Sequence, residues 1–277
     1  MEQKTTKHVT PGSIDQLGAT VSGRGVNFAV YSKFARQMFL LFFNRDMDQP
    51  TDVIEMFPSD ENIWHVFVKE IKPGQLYGLK AAGPYNPFEG HRFNEYKLLV
   101  DPYAKAVSDP IHNIDGLLYG YDIHASQKDL VMDKRENMHV MTKCVVVDDG
   151  FNWGDDRPPR IPWEETILYE THVKGFTADP SSRVHEPGTY MGLIEKIPYL
   201  KSLGITAVEL LPVFLRYSRD YLEDHGLSEY WGYNTIGFFA PEITFGSQSF
   251  PGSEVQEFKE MVKALHASGL EVILDVV

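Results

Sequence analysis

Short runs in which apolar and polar residues alternate characterise the first 108 residues of the chain. In "GVNFAVYS" (residues 25–32), Val26, Phe28 and Val30 fall on one face of an extended segment that follows the turn residues "SGRG". Similar runs are "QMFLLFF" (37–43), "VIEMF" (53–57), "IWHVFVKE" (63–70) and "LYGLKAAG" (76–83). Because these runs have the length of strands and no helical periodicity separates them, the pattern predicts an antiparallel β-sandwich over residues 1–108.

From residue 167 onward, up to residue 277, the pattern changes to strands that alternate with helices. The predicted strands are "ILYETHVKGF" (167–176), "ITAVELLPV" (205–213) and "LEVILDVV" (270–277), and the predicted helices are "GLIEKIPYLKSLG" (192–204) and "SEVQEFKEMVKALHASG" (253–269). Nearly continuous apolar strands with helices between them predict a parallel sheet covered by helices. Residues 109–166, rich in Gly, Asp and Pro, are predicted to be a connector packed at the junction of the two domains.

An open doubly wound sheet and a closed β/α barrel both begin with this order of elements. The open sheet favours a Gly-rich phosphate turn after its first strand, and "THVKGF" (171–176) is not such a turn. In a barrel, functional groups lie in the loops that follow the strands. The loops after "VELLPV" and "LDVV", including the long segment 214–252, are therefore the expected place of a site.

The limits of the two helices can be read from single residues. Ser253 and Gln256 have the spacing of a capping box at the start of the second helix, and Gly269 is suited to a left-handed position at its end. Pro198 is expected at the first position of the first helix, because in a helix interior it would cost about 3 kcal/mol.

Composition narrows the possible partners and the compartment. The chain has 26 Lys and Arg residues against 39 Asp and Glu, a net charge of −13, so it repels nucleic acids and suits neutral partners such as sugars. No apolar run has the eighteen or so residues of a membrane span. The only cysteine, Cys144, is expected to be a buried apolar residue, and a cytoplasmic protein is the default expectation.

Several long motifs carry a resemblance to a known family. They are "LYGLKAAGPYNPFEGHRFNEYKLLVDPYAKAV" (76–107), "YETHVKGFT" (169–177), "YLKSLGITAVELLPV" (199–213), "LSEYWGYNTIGFFAPE" (227–242) and "EFKEMVKALHASGLEVILDVV" (257–277). Together they closely resemble the glycogen-debranching and isoamylase branch of the alpha-amylase family of glycoside hydrolases. The resemblance implies an immunoglobulin-like sandwich of carbohydrate-binding module family forty-eight, followed by a β/α (TIM) barrel.

The resemblance also implies an activity: hydrolysis of α-1,6 branch links in glycogen, amylopectin or limit dextrin with retention of configuration. The implied partners are α-glucans, including maltodextrin, and neither a cofactor nor a metal is implied. The family's aspartate nucleophile and glutamate acid/base match no residue of this chain. The 111 residues from 167 onward suffice for the first three strands and two helices of a barrel that needs about 250. We therefore expect an N-terminal fragment with a truncated barrel that is inactive alone.

Three residues are predicted to bind substrate. Tyr233 matches the family tyrosine that stacks under a sugar ring, and Trp231 lies beside it, with packing as its alternative role. Asp275 matches an aspartate that helps to order the catalytic centre, and its alternative role is to bond neighbouring loops. No catalytic residue is predicted.

Three other polar residues could suggest an acid/base pair or a metal site. Glu170 and His172 have the spacing of residues on one face of a strand, and Glu209 lies on the next strand. A metal would need a third convergent ligand that the sequence does not identify, so structural polar contacts are expected for all three. A second hypothesis for the whole chain is a noncatalytic module that binds glycans or docks a partner.

Overall fold

The computed structural model describes residue 2, residues 4–45 and residues 47–277. The chain divides into two compact units, Met1–Asp148 and Asp149–Val277. The boundary falls inside the predicted connector, and the domain limits given above stay predictions.

The first unit is built from strands. They are β1 (Val9–Thr10), β2 (Gly18–Ser22), β3 (Gly25–Tyr31), β4 (Gln37–Phe43), β5 (Asp52–Glu55), β6 (Phe57–Pro58), β7 (Ile63–Lys69), β8 (Leu76–Ala82), β9 (Tyr85–Asn86), β10 (His91–Arg92) and β11 (Cys144–Val145). One sheet has the order β1-β7-β3-β2 with β6 beside β7, and another has the order β11-β8-β4-β5. Every pairing in these two sheets is antiparallel, as the alternating pattern predicted.

The core of the first unit is formed by side chains of the two sheets. Val26, Phe28 and Val30 are all buried there, which confirms that these alternate residues of β3 share an inward face. The Phe28 ring makes edge contacts with Phe42 of β4 at 5.6 Å and with Tyr77 of β8 at 5.0 Å between ring centroids. These aromatic contacts join one sheet to the other.

The long segment between β10 and β11 adds buried polar contacts to the first unit. The side chain of Asn137 bonds both backbone groups of Leu98, accepting from its N–H at 2.6 Å and donating to its carbonyl at 3.2 Å. Strand β11 pairs with β8, and its Cys144 is fully buried, which raises the pKa of the thiol. Cys144 is therefore the inert buried residue that the sequence predicted.

The second unit alternates strands with helices. Its strands are β12 (Leu168–Thr171), β13 (Ala207–Leu210), β14 (Phe214–Arg216), β15 (Thr235–Pro241) and β16 (Glu271–Leu274), and its helices are α1 (Val173–Thr177), α2 (Tyr190–Glu195), α3 (Ile197–Ser202), α4 (Asp220–Glu223) and α5 (Ser253–Ala267). Strands β12, β13 and β16 form a parallel sheet in that order, with Glu170 beside Glu209 and Glu209 beside Ile273. Strands β14 and β15 form a separate antiparallel pair.

The parallel sheet was predicted, but the helices differ from the prediction. The first predicted helix is interrupted at Lys196, which ends α2 and begins α3. Pro198 is the second residue of α3, in the first turn, where its missing N–H leaves no helical bond unmade. With α1 and α4, the described part of this unit holds five α-helices where two helices were predicted.

The sequence prediction was wrong for the start of α5 and correct for its end. Its N-cap is Gly252, with φ 87°, so Ser253 lies inside the helix and makes no capping bond. The N–H groups of Ser253 and Val255 bond instead to the carbonyls of Phe250 and Gly252. Gly269 does have the predicted left-handed conformation, with φ 76°. No helix in the described residues is long and apolar enough to cross a membrane.

Candidate functional site

Tyr233 and Asp275 meet at the carboxyl end of the parallel sheet. Asp275 directly follows β16, and its N–H donates to the carbonyl of Leu210 at 3.0 Å, which prolongs the β13–β16 ladder. The hydroxyl of Tyr233 donates to Oδ2 of Asp275. Tyr233 is 47% exposed, so the bond anchors a tyrosine that remains open to a ligand.

The surroundings of Tyr233 keep its hydroxyl neutral. The hydrogen bond to Asp275 raises the pKa of Tyr233 to about 12, and the nearby charges of Asp275, Glu170 and Glu209 act in the same direction. A neutral phenol that donates to a carboxylate, beside two further carboxylates, offers an aromatic face and acceptor oxygens to a ligand. Such a surface suits an uncharged molecule with many hydroxyl groups.

The backbone that leads to Tyr233 is held by glycine. Gly232 has φ 87°, and a Cβ added to it would lie 2.6 Å from the carbonyl oxygen of Pro212. Both the conformation and the close approach therefore exclude a larger residue. On the other side of Tyr233, the Asn234 amide donates to the Tyr217 carbonyl at 2.6 Å. The position of the tyrosine is thus set by contacts of both neighbours.

Trp231 lies near this pair but makes different contacts. Trp231 is 56% exposed, and its ring touches the Tyr230 ring edge-on, with centroids 5.4 Å apart. Its binding role stays a prediction.

His172 and Glu170 do not share a surface. Glu170 is exposed in β12, whereas His172 follows the strand, is only 6% exposed and is the N-cap of α1. The prediction of one common face is wrong because the strand ends at Thr171 and the chain turns into α1. Burial lowers the pKa of His172, so the ring is neutral near pH 7.

Sequence reasoning missed a buried group of side chains behind Tyr230. Arg216 donates to the Tyr230 carbonyl at 3.1 Å, and its own N–H donates to Glu242 at 3.2 Å. The Arg216 guanidinium also lies over the ring of Phe245, 4.8 Å from its centroid. Arg216 lies 14 positions before Tyr230 and 26 positions before Glu242, and no helical or strand spacing signals that they meet.

The described residues contain no group of three or more His, Cys, Asp or Glu side chains arranged to hold a metal ion. A surface groove of about 590 Å³ lies beside α5, lined by Phe151, Asn152, Gln256, Glu260 and Lys263 among others, and none of its lining residues is Tyr233, Trp231 or Asp275. The candidate site is the exposed surface around Tyr233 at the carboxyl end of the sheet.

Two family profiles match the chain. Carbohydrate-binding module 48, the isoamylase N-terminal domain, matches residues 16–104, and the alpha amylase catalytic domain matches residues 148–277. The first match lies within the antiparallel sandwich unit, and the second covers the parallel sheet and its helices.

Curated relatives agree with these profiles. The chain is 44% identical over 278 residues to the glycogen operon protein GlgX homolog of Mycobacterium tuberculosis (strain CDC 1551 / Oshkosh), covering 97% of this chain and 37% of the relative. It is 40% identical over 272 residues to the glycogen debranching enzyme of Serratia proteamaculans (strain 568), covering 97% of this chain and 40% of that enzyme. The chain thus spans 37% to 40% of the length of these relatives.

Solved structures share the fold. The pullulanase from Paenibacillus barengoltzii, in complex with maltohexaose and alpha-cyclodextrin, has a TM-score of 0.71 at 24% identity, over 95% of this chain and 38% of the pullulanase. The catalytic module of the glycogen-degrading pneumococcal virulence factor SpuA has a TM-score of 0.69 at 23% identity, over 96% of this chain and 38% of that module.

The fold and the matched domains define an isoamylase-type carbohydrate-binding module followed by the start of an alpha-amylase catalytic domain. The chain belongs to the glycogen-debranching and isoamylase branch of the alpha-amylase family of glycoside hydrolases.

Proposed function

We propose that this chain is the α-glucan-binding part of a retaining debranching enzyme that hydrolyses α-1,6 branch links in glycogen, amylopectin or limit dextrin. The observation that carries the proposal is the bond between Tyr233 and Asp275 at the carboxyl end of the parallel sheet. It fixes an exposed aromatic ring at the edge where enzymes with parallel β/α sheets bind their ligands.

The chemistry of this edge supports a sugar ligand. An aromatic face packs against the C–H groups of a pyranose ring, and carboxylate oxygens accept hydrogen bonds from sugar hydroxyls. The negative charges of Asp275, Glu170 and Glu209 all act on the tyrosine, which disfavours phosphorylated or acidic ligands. An uncharged α-glucan is the ligand class that meets both conditions.

We expect the 277-residue chain to bind α-glucan without cleaving it. A retaining glycosidase needs two carboxyl groups about 5 Å apart that flank the scissile bond. Glu170 and Glu209 lie on adjacent strands, but neither matches the family's nucleophile or acid/base. Their proposed part is to accept hydrogen bonds from the sugar or from neighbouring loops.

The test is retardation of the chain in native gels that contain glycogen. Tyr233→Ala is expected to weaken the apparent affinity about tenfold, which corresponds to about 1.4 kcal/mol. Tyr233→Phe keeps the ring and is expected to lose less. Tyr199→Ala is the matched control, because Tyr199 is 49% exposed but lies on α3.

Equal retardation of wild type and Tyr233→Ala would remove Tyr233 from the proposal. Absence of any retardation of the wild-type chain would overturn glucan binding by this chain and favour the alternative of a partner-docking module. Release of reducing ends from a branched dextrin by the purified chain would contradict binding without cleavage.

A further inference from the structure

The backbone carbonyl of Tyr230 accepts two hydrogen bonds from buried side chains. Nε2 of His172 lies 2.6 Å from this oxygen, and Nη1 of Arg216 donates to it at 3.1 Å. A carbonyl oxygen has two lone pairs, so both bonds can be made together. Tyr230 lies three residues before Tyr233, in the same loop.

The hydrogen bonds of His172 settle which nitrogen carries its proton. The N–H of Gly175 donates to Nδ1 at 3.0 Å, so Nδ1 is the acceptor of a neutral ring. Nε2 then carries the proton and donates to Tyr230. One side chain thus makes two separate bonds, one that caps α1 and one that holds the loop.

The ring of Tyr230 is also seated on His172. The two rings are stacked, with centroids 4.2 Å apart and an angle of 7° between their planes. A Cβ added to Gly175 would lie 2.0 Å from the Tyr230 hydroxyl oxygen, so the tyrosine fills the space that the missing side chain leaves. Loop carbonyl and loop ring are therefore both held by the first turn after β12.

Arg216 is itself held in place. Its backbone N–H donates to Glu242, its guanidinium donates to Thr244 at 3.4 Å, and it lies over the Phe245 ring. Phe245 in turn meets His172 edge-on at 5.3 Å between ring centroids. The two donors to Tyr230 thus belong to one packed group.

We propose that His172 and Arg216 are positioning residues for α-glucan binding: by donating together to the Tyr230 carbonyl they fix the Tyr230–Tyr233 segment so that the Tyr233 ring faces the ligand. The proposal rests on the proposed function, because it assigns to these residues the placement of the sugar platform. His172 acts through Tyr230 and touches no substrate.

The experiment separates the two bonds of His172. Gln places an amide nitrogen near the position of Nε2 and keeps a donor for Tyr230, whereas Asn places an oxygen near Nδ1 and keeps the cap of α1. In His172→Asn we expect about tenfold weaker binding of maltohexaose by calorimetry and faster amide hydrogen exchange in residues 231–233. Both variants lose the stacked ring, so both are expected to be less stable than wild type, and His172→Asn less affected than His172→Gln because it keeps the cap of α1. In His172→Gln we expect binding and exchange close to wild type, with lower stability from the lost cap.

Gly175→Ala provides an independent variant, because it removes no hydrogen-bonding group and disturbs only the seat of Tyr230. It is expected to weaken binding and to accelerate exchange in residues 231–233. If the affinity loss of His172→Gln and of His172→Asn is in each case proportional to its loss of thermal stability, the role of His172 is purely structural and the proposal is overturned. Unchanged exchange in His172→Asn would also overturn it.

Hydrogen exchange keeps the two proposals apart. If the wild-type chain does not bind maltohexaose, the proposed function fails, while exchange still shows whether His172 orders the loop. If the wild type binds and His172→Asn binds equally well, the positioning proposal fails and the proposed function stands.

Discussion

The carboxyl group of Glu254 is buried in the first turn of α5. It is 1% exposed, and among the described residues its Oε1 and the Oγ of Ser253 are buried without a hydrogen-bond partner. Burial raises the pKa of Glu254 to about 7, and the charges of Glu257 and Glu242 add to the rise. A helix N-terminus normally favours an ionised carboxylate, but desolvation outweighs that effect here.

This environment makes Glu254 a source of pH-dependent stability. Because the pKa of Glu254 is raised in the folded state, the contribution of this carboxyl group to the free energy of unfolding is intact below pH 4.5, the ordinary pKa of Glu. That contribution declines as pH rises to about 7. Above pH 7, Glu254→Gln is therefore expected to have a free energy of unfolding up to about 3 kcal/mol higher than wild type, measured by urea unfolding. The difference should grow between pH 4.5 and 7 and stay constant above pH 7.

The control for this prediction is Glu260→Gln, which changes an exposed carboxylate of the same helix. It is expected to alter stability little at any pH. A Glu254→Gln variant that is less stable than wild type at pH 8 would show that the carboxylate is satisfied in the folded protein.

At the scale of the element, α5 shows how a helix end depends on backbone conformation. Gly269 donates to the carbonyl of His266 at 2.8 Å, and Leu270 donates to the carbonyl of Leu265 at 3.0 Å. This pair of bonds is the Schellman arrangement, which needs a left-handed residue after the C-cap. It turns the chain from α5 directly into β16, whose neighbour Leu270 is buried in the core.

Replacement of Gly269 tests how much this left-handed conformation contributes to the stability of the protein. Gly269→Ala is expected to destabilise the protein by about 1 kcal/mol, because φ 76° costs an L-residue conformational energy. Gly269→Asn should cost less, since Asn tolerates the left-handed region better. Thermal unfolding followed by circular dichroism gives the order of the three stabilities.

Gly120→Ala serves as the comparison, because Gly120 lacks a positive φ and a Cβ there meets no atom within 4 Å. An alanine at 269 that is tolerated as well as the alanine at 120 would contradict the cap assignment.

At the scale of the whole molecule, each unit contains charged groups inside it. In the first unit, Lys97 and Asp133 are 3% and 5% exposed at their side chains and lie 3.0 Å apart. Burial alone would raise the pKa of Asp133, but hydrogen bonds from Arg135 and Lys97 outweigh it and lower the pKa to about 2. In the second unit, Arg216 and Glu242 are similarly buried. Such pairs join segments that the chain separates widely.

Loss of the pair in the first unit is expected to be costly. Asp133→Ala should destabilise that unit by about 3–5 kcal/mol, because it leaves the Lys97 ammonium buried without its counter-charge. Since the folded pKa of Asp133 is lowered, the wild-type advantage is present above the ordinary value of 3.8 and declines as pH falls toward 2. Urea unfolding at pH 7, 4 and 2.5 measures both effects.

Asp129→Ala is the matched control, because Asp129 forms an ion pair with Arg92 in which both side chains are more than 40% exposed. Exposed pairs contribute about 0–1 kcal/mol. Equal losses in the two variants would mean that burial of the Lys97–Asp133 pair has no energetic consequence.

The sequence by itself determined the features that depend on neighbours along the chain. The two-residue period around Val26, Phe28 and Val30 predicted the sandwich, the strand–helix order predicted the parallel sheet, and Gly269 marked the end of a helix. Each follows from local periodicity or backbone preference, which a short window of residues contains. The capping box at Ser253 failed because a left-handed glycine, Gly252, provided a competing way into the helix.

Only the tertiary structure decided which distant side chains meet. Tyr233 and Asp275 are 42 positions apart, and His172 and Tyr230 are 58 apart. Such contacts depend on how long loops close over the end of the sheet, and many closures differ little in chain entropy. Side-chain packing and the need of buried polar groups for hydrogen-bond partners decide which closure of the loops forms. The local pattern of residues does not contain this information.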